Sequence, residues 1–302
     1  MNLLKELCEI RSTSGDEEKI KNYLINYINT NKKKWKTQPI LHYGNNFQDN
    51  IIMVFGTPKA AIFSHIDSIG FTVRYNNEII KIGGPVCDEG IELCGEDSNG
   101  YFEGKIFKKN KKLYIRNDRI IDIGTNLTFK VDYRDKENYI QSAYLDNRLG
   151  VYNALKIAES LENGIIVFST WEEHKGGSVG YLGKFIYENY QVKQALISDI
   201  TWVTEGVSHG KGCVISIRDS GIPRRSYVNK IISIAKKSKI EFQIEVESSG
   251  GSDGNELQKS SYPWDWCFIG APEDNVHSPD EKVYKKDIQS MIDLYKVIMQ
   301  EL

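Results

Sequence analysis

The sequence predicts an α/β fold that is interrupted by a small all-β insert. From residue 146 onward, apolar residues at helical spacing alternate with short buried-type strands. Residues 68–142 instead hold short β-like runs separated by Gly, Asn and Asp turns, with no helical period. The chain of 302 residues is long enough for one large domain or two unequal ones. We therefore predict an α/β unit at 1–67 plus 143–302 and a β insert at 68–142.

Helical periodicity marks the helices of the α/β unit. The predicted helices cover approximately residues 3–10, 20–28, 149–161, 224–238 and 284–301. Ser14 and Glu17 have the spacing of a capping box ahead of the second helix.

Strands are predicted where short apolar runs end at Gly, Pro or polar residues. In the α/β unit they cover residues 51–55, 60–63, 165–168, 195–197, 214–217, 242–246 and 267–269. In the insert they cover residues 71–75, 78–82, 105–107, 113–116 and 127–131.

Composition excludes several classes of function. With 41 acidic and 39 basic residues, the chain lacks the positive charge of a nucleic-acid-binding protein, so no nucleic-acid partner is expected. No stretch approaches the roughly 18 apolar residues of a membrane span. The five cysteines are odd in number and never spaced C-x-x-C, which argues against a zinc ribbon or a disulfide framework. Since the first residues also lack a signal-peptide pattern, we expect a cytoplasmic protein without membrane contact.

Metal-capable side chains follow four of the predicted strands, near the point where each strand ends. In chain order they are His65, Asp67, Glu172, Glu173, Asp199 and His277. In open α/β sheets, ligands bind outside the carboxyl ends of the strands. A mixed set of imidazole and carboxylate groups suits zinc, cobalt or manganese. The shared position predicts a metal site at this edge of the sheet.

Each of these residues also has an ordinary structural explanation when it is taken alone. A single histidine after a strand is commonly a hydrogen-bonded structural residue, and adjacent glutamates are commonly solvated. Asp199 could cap a helix, and the segment 146–148 could be a turn that opens one. Only their common position at strand ends favours the metal site.

Seven motifs, spread in order along the chain, resemble those of the M42 family of metallo-aminopeptidases, among the dinuclear zinc exopeptidases. The motifs lie at 64–71, 145–150, 171–173, 198–201, 210–212, 250–254 and 276–281. The resemblance implies a zinc-exopeptidase-like α/β/α sandwich with a mixed central sheet and a barrel-like β insert. It also implies two divalent metal ions per chain, with zinc favoured over cobalt or manganese.

The resemblance assigns five residues as metal ligands. Asp146 would bridge the two ions. His65 and Asp199 would complete the ligands of one ion. Glu173 and His277 would complete those of the other.

The resemblance gives further residues catalytic and substrate-binding roles. Glu172 would act as the general base on a metal-bridging water, and Asp67 would hydrogen-bond the ligand histidine. Gly251, Ser252 and Asp253 would contact substrate.

The implied activity is the removal of N-terminal residues from short peptides by a homo-oligomer. The alternative is a related metal-dependent deacylase or deacetylase that acts on N-acyl amino acids with the same Glu172. A non-catalytic binding protein on the same scaffold is a third hypothesis, although no ligand or base is missing.

The sequence departs from the family pattern at three points. His174 and Lys175 follow the paired glutamates, where the family usually has small or apolar residues. Asp274 and Asn275 stand near the place of a common Arg-Tyr pair. The chain is also shorter than is typical, with the shortfall in the insert.

Overall fold

Two β structures, a large mixed sheet and a small closed barrel, organise the chain. The structure, a computed structural model, describes residues 1–302. The seven helices are α1 (Asn2–Glu9), α2 (Glu18–Asn31), α3 (Leu145–Ala158), α4 (Val179–Tyr190), α5 (Arg225–Ser238), α6 (Asp253–Lys259) and α7 (Lys285–Glu301). None of them is both long enough and apolar enough to cross a membrane.

Eleven strands form the large sheet. They are β1 (Ile40–Gly44), β2 (Gln48–Phe55), β3 (Ala61–His65), β10 (Arg134–Asp135), β11 (Tyr139–Ser142), β12 (Gly164–Ser169), β13 (Gln194–Trp202), β14 (Cys213–Ser216), β15 (Phe242–Glu245), β16 (Asp265–Asp274) and β17 (Glu281–Tyr284). The remaining six strands form the barrel. They are β4 (Gly70–Val73), β5 (Glu78–Ile82), β6 (Glu92–Asp97), β7 (Gly100–Lys109), β8 (Lys112–Arg116) and β9 (Asn126–Phe129).

Four neighbouring parallel strands form the centre of the large sheet. The strand order is β1-β2-β12-β3-β13-β16-β17-β11-β10, with β14 paired to β16 and β15 paired to β14. Strands β12, β3, β13 and β16 run parallel, and Ser169 pairs with His65 at the ends of β12 and β3. Their carboxyl ends therefore meet at one edge, where the sequence predicts the metal site.

Helices cover both faces of this sheet. In β12, Ile166 and Phe168 belong to the 44-residue core cluster that α1, α2, α3, α5 and α7 share. Ile165 and Val167 point to the other face, in the 16-residue cluster with α4 and α6. Burial on both faces explains the unbroken apolar run of this strand.

The barrel is a closed antiparallel ring of six strands inserted between β3 and α3. Its interior holds a separate core of 13 buried residues. The predicted fold class, a mixed α/β fold with a barrel-like β insert, is therefore confirmed. The strands at 134–142, which the sequence placed in the insert, pair with the large sheet through β17. The division at 67/68 and 142/143 stays a prediction.

The structure differs from the local predictions at several elements. Ser14 does not cap α2, because its hydroxyl donates to Asp67 Oδ2 over 2.6 Å; Glu17 is the N-cap residue. Helix α4 was not predicted, since Gly180 and Gly183 lower its helical propensity. A Cβ at Gly183 would lie 3.1 Å from Trp264 Nε1, so close packing of α4 favours glycine there.

Candidate active site

Six of the metal-capable side chains line one cavity of about 280 Å³ at the carboxyl edge of the sheet. They are His65, Asp146, Glu172, Glu173, Asp199 and His277. His65 is the last residue of β3, and the paired glutamates form a short turn after β12. Asp146 opens α3, Asp199 lies in β13, and His277 lies between β16 and β17. The fold thus brings together residues that are more than 200 positions apart.

The side chains form two groups that share Asp146. His65 Nε2 lies 3.3 Å from Asp146 Oδ1 and 3.6 Å from Asp199 Oδ2. His277 Nε2 lies 3.3 Å from Asp146 Oδ2 and 3.2 Å from Glu173 Oε2. Asp146 therefore presents one carboxylate oxygen to each group.

The spacing of these atoms fits divalent metal ions. A tetrahedral zinc ion with ligands at about 2.0–2.2 Å places neighbouring ligand atoms about 3.4 Å apart. The histidine-to-carboxylate separations, from 3.2 to 3.6 Å, match that value. The buried Glu173 Oε1 accepts no hydrogen bond within the protein, so this carboxylate oxygen is free to bind a cation. Each group therefore offers ligand atoms that fit a divalent metal ion.

The pKa shifts in the two groups also favour a site for cations. Burial lowers the pKa of His277, but hydrogen bonds to Asp146 and Glu173 outweigh this effect and raise that pKa to about 12. Burial raises the pKa of Glu172 well above its ordinary value, and nearby Glu173 adds to the effect. The carboxylates thus create a strong demand for positive charge, which protons and metal ions would compete to supply.

Asp67 connects one histidine to the segment that carries the paired glutamates. Its Oδ1 lies 3.4 Å from His65 Nδ1 and accepts a hydrogen bond of 3.1 Å from the Glu172 backbone. Its Oδ2 accepts hydrogen bonds from the Glu173 backbone, at 3.1 Å, and from the Ser14 hydroxyl. The side chain is completely buried, so these contacts define its geometry.

Glu172 lies beside the two groups without joining either. Its Oε2 is 3.9 Å from His65 Nε2, farther than the ligand-capable atoms, and its side chain remains 18% exposed. A carboxylate in this position can reach a water molecule or a substrate in the cavity.

Glu281 is a site residue that the sequence analysis assigned no role. The residue is fully buried in β17. Its Oε1 accepts a hydrogen bond of 2.9 Å from the His277 backbone, and its Oε2 accepts one of 3.2 Å from the Asp146 backbone. Its position at the end of the motif 276–281 was the only sequence signal. The contacts depend on β17, which was not predicted.

The predicted substrate-binding segment lies partly in the cavity. Gly251 lines it. Ser252 accepts a 3.2 Å hydrogen bond from the Gly254 backbone at the start of α6. Asp253 is buried outside the cavity lining and accepts a 2.5 Å hydrogen bond from the Ser169 hydroxyl. The roles of these residues in substrate binding stay predictions.

Comparison of the sequence with known families gives one match, which covers more than half of the chain. The family model described as M42 glutamyl aminopeptidase matches residues 116–294. A curated protein of Acetivibrio thermocellus, provisionally assigned as an aminopeptidase, is 27% identical over 330 residues. That alignment covers 97% of this chain and 96% of the relative.

Solved structures share the whole fold at low sequence identity. An aminopeptidase from Desulfurococcus kamchatkensis superposes with a TM-score of 0.85 at 22% identity, covering 100% of this chain and 94% of that one. A TET aminopeptidase from Thaumarchaeota archaeon SCGC AB-539-E09 superposes with a TM-score of 0.88 at 16% identity, covering 100% of this chain and 96% of that one. The Pyrococcus horikoshii TET1 peptidase superposes with a TM-score of 0.80 at 23% identity, covering 100% of this chain and 99% of that one. That peptidase is described as assembling into a tetrahedron or a large octahedral shell.

Proposed function

Because this chain belongs to the M42 aminopeptidase family and is a hydrolase of that type, we propose that it uses two divalent metal ions to remove N-terminal residues from short peptides. The observation that carries the proposal is the position of Asp146. Its two carboxylate oxygens face two separate histidine-carboxylate groups, each 3.3 Å from a histidine nitrogen. A carboxylate shared in this way is what two neighbouring cations need to offset their repulsion.

We assign the ligands by these groups. Asp146 would be a ligand of both ions, and His65 and Asp199 would complete the ligands of one of them. Glu173 and His277 would hold the other ion. Within each group, the ligand-capable atoms all lie within 4.8 Å of one another, which supports the assignment. Zinc is favoured by the mixed imidazole and carboxylate donors, and cobalt or manganese would also fit them.

When bound, the two ions would supply Lewis acidity that polarises the scissile carbonyl and lowers the pKa of water. Glu172 accepts the proton of the attacking water and delivers it to the leaving amine, because it lies beside the ligands without joining them. Asp67 keeps His65 oriented and holds the backbone of the turn that carries Glu172. Burial of both Asp67 and His65 restricts their alternative orientations.

Substrate contacts, assembly and location are extensions of the same proposal. Gly251 contacts the bound peptide through its backbone, while Ser252 and Asp253 shape the segment beside it. The chain forms a homo-oligomer, in line with the assemblies described for the Pyrococcus horikoshii peptidase. Five free cysteines support a reducing compartment such as the cytoplasm.

The test compares two classes of substrate, one with a free amino group and an amide at the carboxyl end, the other with an acylated amino group. Aminoacyl p-nitroanilides with a free amino group should be hydrolysed by the metal-loaded protein. N-acetyl amino acids should release little or no acetate. Hydrolysis of the acylated set alone would replace the aminopeptidase proposal with the deacylase alternative.

A further inference from the structure

The cavity with the candidate metal ligands continues onto a wall of acidic side chains. Asp219, Glu245 and Glu247, here called the acidic wall, line the same cavity as the paired glutamates. Asp219 is 8% exposed and Glu245 is 4% exposed. A substrate bound at the candidate active site must share this space.

Two parallel strands at the end of the large sheet build the acidic wall. Glu245 is the last residue of β15, and it pairs with Ser216 at the end of β14. Asp219 and Glu247 lie just beyond these strand ends, where the Glu247 backbone N–H donates to the Arg218 backbone carbonyl over 3.0 Å. Glu245 therefore lies on regular structure, and Asp219 and Glu247 lie on the segments that directly follow the two strands.

Hydrogen bonds from neutral groups hold the acidic wall in place. The Thr201 hydroxyl donates to Glu245 over 2.5 Å, and the Thr204 hydroxyl donates to Glu247 over 2.7 Å. The Gly221 backbone donates to Asp219 over 2.6 Å. Because Thr201 lies two residues after Asp199 in β13, these bonds link the wall to a strand that carries a metal ligand.

The acidic wall has no ion-pair partner in the protein. None of its three carboxylates forms an ion pair, and the only basic side chains that line the cavity are those of His65 and His277. Arg218 is adjacent in sequence to Asp219, but its Nε donates to the Asp219 backbone carbonyl. Carboxylates held in a partly buried cavity without a counter-charge leave a demand for a cation.

The cavity therefore holds more negative charge than the metal ions would offset. Seven carboxylates line it, and four of them belong to the candidate metal and base residues. Two divalent cations would balance those four, so the acidic wall would remain negative.

Apolar side chains also line the cavity. Ile200, Trp202 and Phe268 lie among the lining residues, and Trp202 is 39% exposed. Lysine and arginine side chains place their methylene stems on apolar surface while the charged end reaches a polar partner. An exposed indole also attracts a guanidinium or ammonium group.

We propose that the acidic wall recognises a cationic side chain at the substrate's N-terminus, so that lysine and arginine are the residues released fastest. This inference rests on the proposed aminopeptidase function and names its substrate class. A glutamate or aspartate side chain would meet like charge, with no lysine or arginine in the cavity to pair with. A leucine side chain would leave the three carboxylates unpaired.

The first test compares the lysyl, arginyl, leucyl and glutamyl p-nitroanilides with the metal-loaded wild-type protein. We expect kcat/KM for lysine and arginine to exceed that for leucine by about tenfold or more, with glutamate lowest. Robust turnover with leucine or glutamate preferred would overturn the specificity and leave the aminopeptidase function standing. Absence of turnover on all four substrates would contradict the proposed function itself.

The second test removes single charges from the acidic wall. Glu245→Gln and Glu247→Gln should each lower kcat/KM for the lysyl substrate about tenfold and change the leucyl value little. Glu247 is less buried than Glu245, so its variant keeps the test available if the other fails to fold. The matched control is Glu241→Gln, an exposed glutamate that pairs with Lys286 outside the cavity. An equal loss on both substrates would assign the wall to the common α-ammonium group and overturn the proposal.

Discussion

At the residue scale, Asp67 contacts three residues of the candidate site, namely His65, Glu172 and Glu173. Its two carboxylate oxygens face His65, both backbone N–H groups of the paired glutamates and the Ser14 hydroxyl. The positions of a proposed ligand and of the proposed base therefore depend on one buried side chain. Such a partner restricts the ligand histidine to one orientation.

Glu172 carries the first prediction at this scale. Glu172→Gln removes the proton acceptor but keeps the shape of the side chain, so kcat should fall about 10²–10⁴-fold. The metal content should not change, because Glu172 lies outside both ligand groups. Steady-state kinetics and elemental analysis of the same preparation check both statements. The exposed Glu205→Gln provides the control, and full activity in the Glu172 variant would refute the base assignment.

Glu17 carries the second prediction, which concerns how the free energy of unfolding depends on pH. Burial, with a contribution from the Asp67 charge, raises the pKa of Glu17 to about 8. The unfolded chain ionises this group near pH 4.5, so it binds fewer protons than the folded chain between about pH 4.5 and 8. The Glu17 contribution to the free energy of unfolding is therefore largest below that window and falls as pH rises through it, by on the order of a few kcal/mol.

Glu17→Gln tests this statement. Glutamine can still accept the 2.9 Å hydrogen bond from the Gly15 backbone, but it cannot ionise. Urea unfolding at pH 5.5 and pH 8 should show that the variant loses less stability than the wild type over this interval. An identical loss in both proteins would mean that Glu17 does not titrate in this way.

At the element scale, the start of α3 is tied to α1 and to the end of β3 by one buried arginine. Arg148 is fully buried. It donates to the backbone carbonyls of Leu7, at 3.1 Å, and Ile66, at 2.6 Å, and also to the Ser12 hydroxyl. Since Asp146 lies two residues earlier, these bonds also position the candidate bridging carboxylate.

Arg148→Met should destabilise the protein by roughly 2–4 kcal/mol, because it leaves buried carbonyl oxygens without donors. The free energy of unfolding from urea titration gives the measurement. Arg225→Met, at an exposed position in α5, should change stability by no more than about 0.5 kcal/mol. Equal stability of the Arg148 variant and the wild type would show that these hydrogen bonds make no net contribution to the free energy of unfolding.

At the scale of the whole molecule, the candidate site joins segments from most of the chain. Its ligand-capable residues lie between positions 65 and 277 and come from five separate segments of the α/β unit. The unfolded chain cannot hold them together. Metal binding should therefore stabilise the folded molecule as a whole.

Metal removal tests this coupling. Dialysis against a chelator should lower the melting temperature by about 5 °C or more, and added zinc should restore it. The Asp146→Asn variant should respond much less, since both ligand groups lose a charged oxygen. A wild-type melting temperature unaffected by the chelator would contradict metal binding at this site.

The sequence could predict those site residues whose position follows from strand ends. His65 and Asp199 each lie two residues after the paired apolar runs of β3 and β13, so their meeting follows from the parallel pairing of these runs, although β13 continues past Asp199 to Trp202. Glu281 and the acidic wall could not be predicted in this way. They reach the site through the pairing of β17 with β16 and of β15 with β14, which no local pattern specifies.

The same distinction holds for the fold. The double-sided burial of β12 is visible as an apolar run, and the turn-rich stretch indicates the insert. Closure of the barrel depends on β6 pairing with β9, and β6 was not predicted. Helix α4 was not predicted because of Gly180 and Gly183, and of these only Gly183 packs against Trp264.

Metal content of the purified protein under metal-replete conditions tests the central claim most directly. Elemental analysis, with protein quantified on the same sample, should give close to two divalent ions per chain. Asp146→Asn should bind markedly less, because both groups share this carboxylate. A value near zero ions per wild-type chain would contradict the dinuclear site and the mechanism that depends on it.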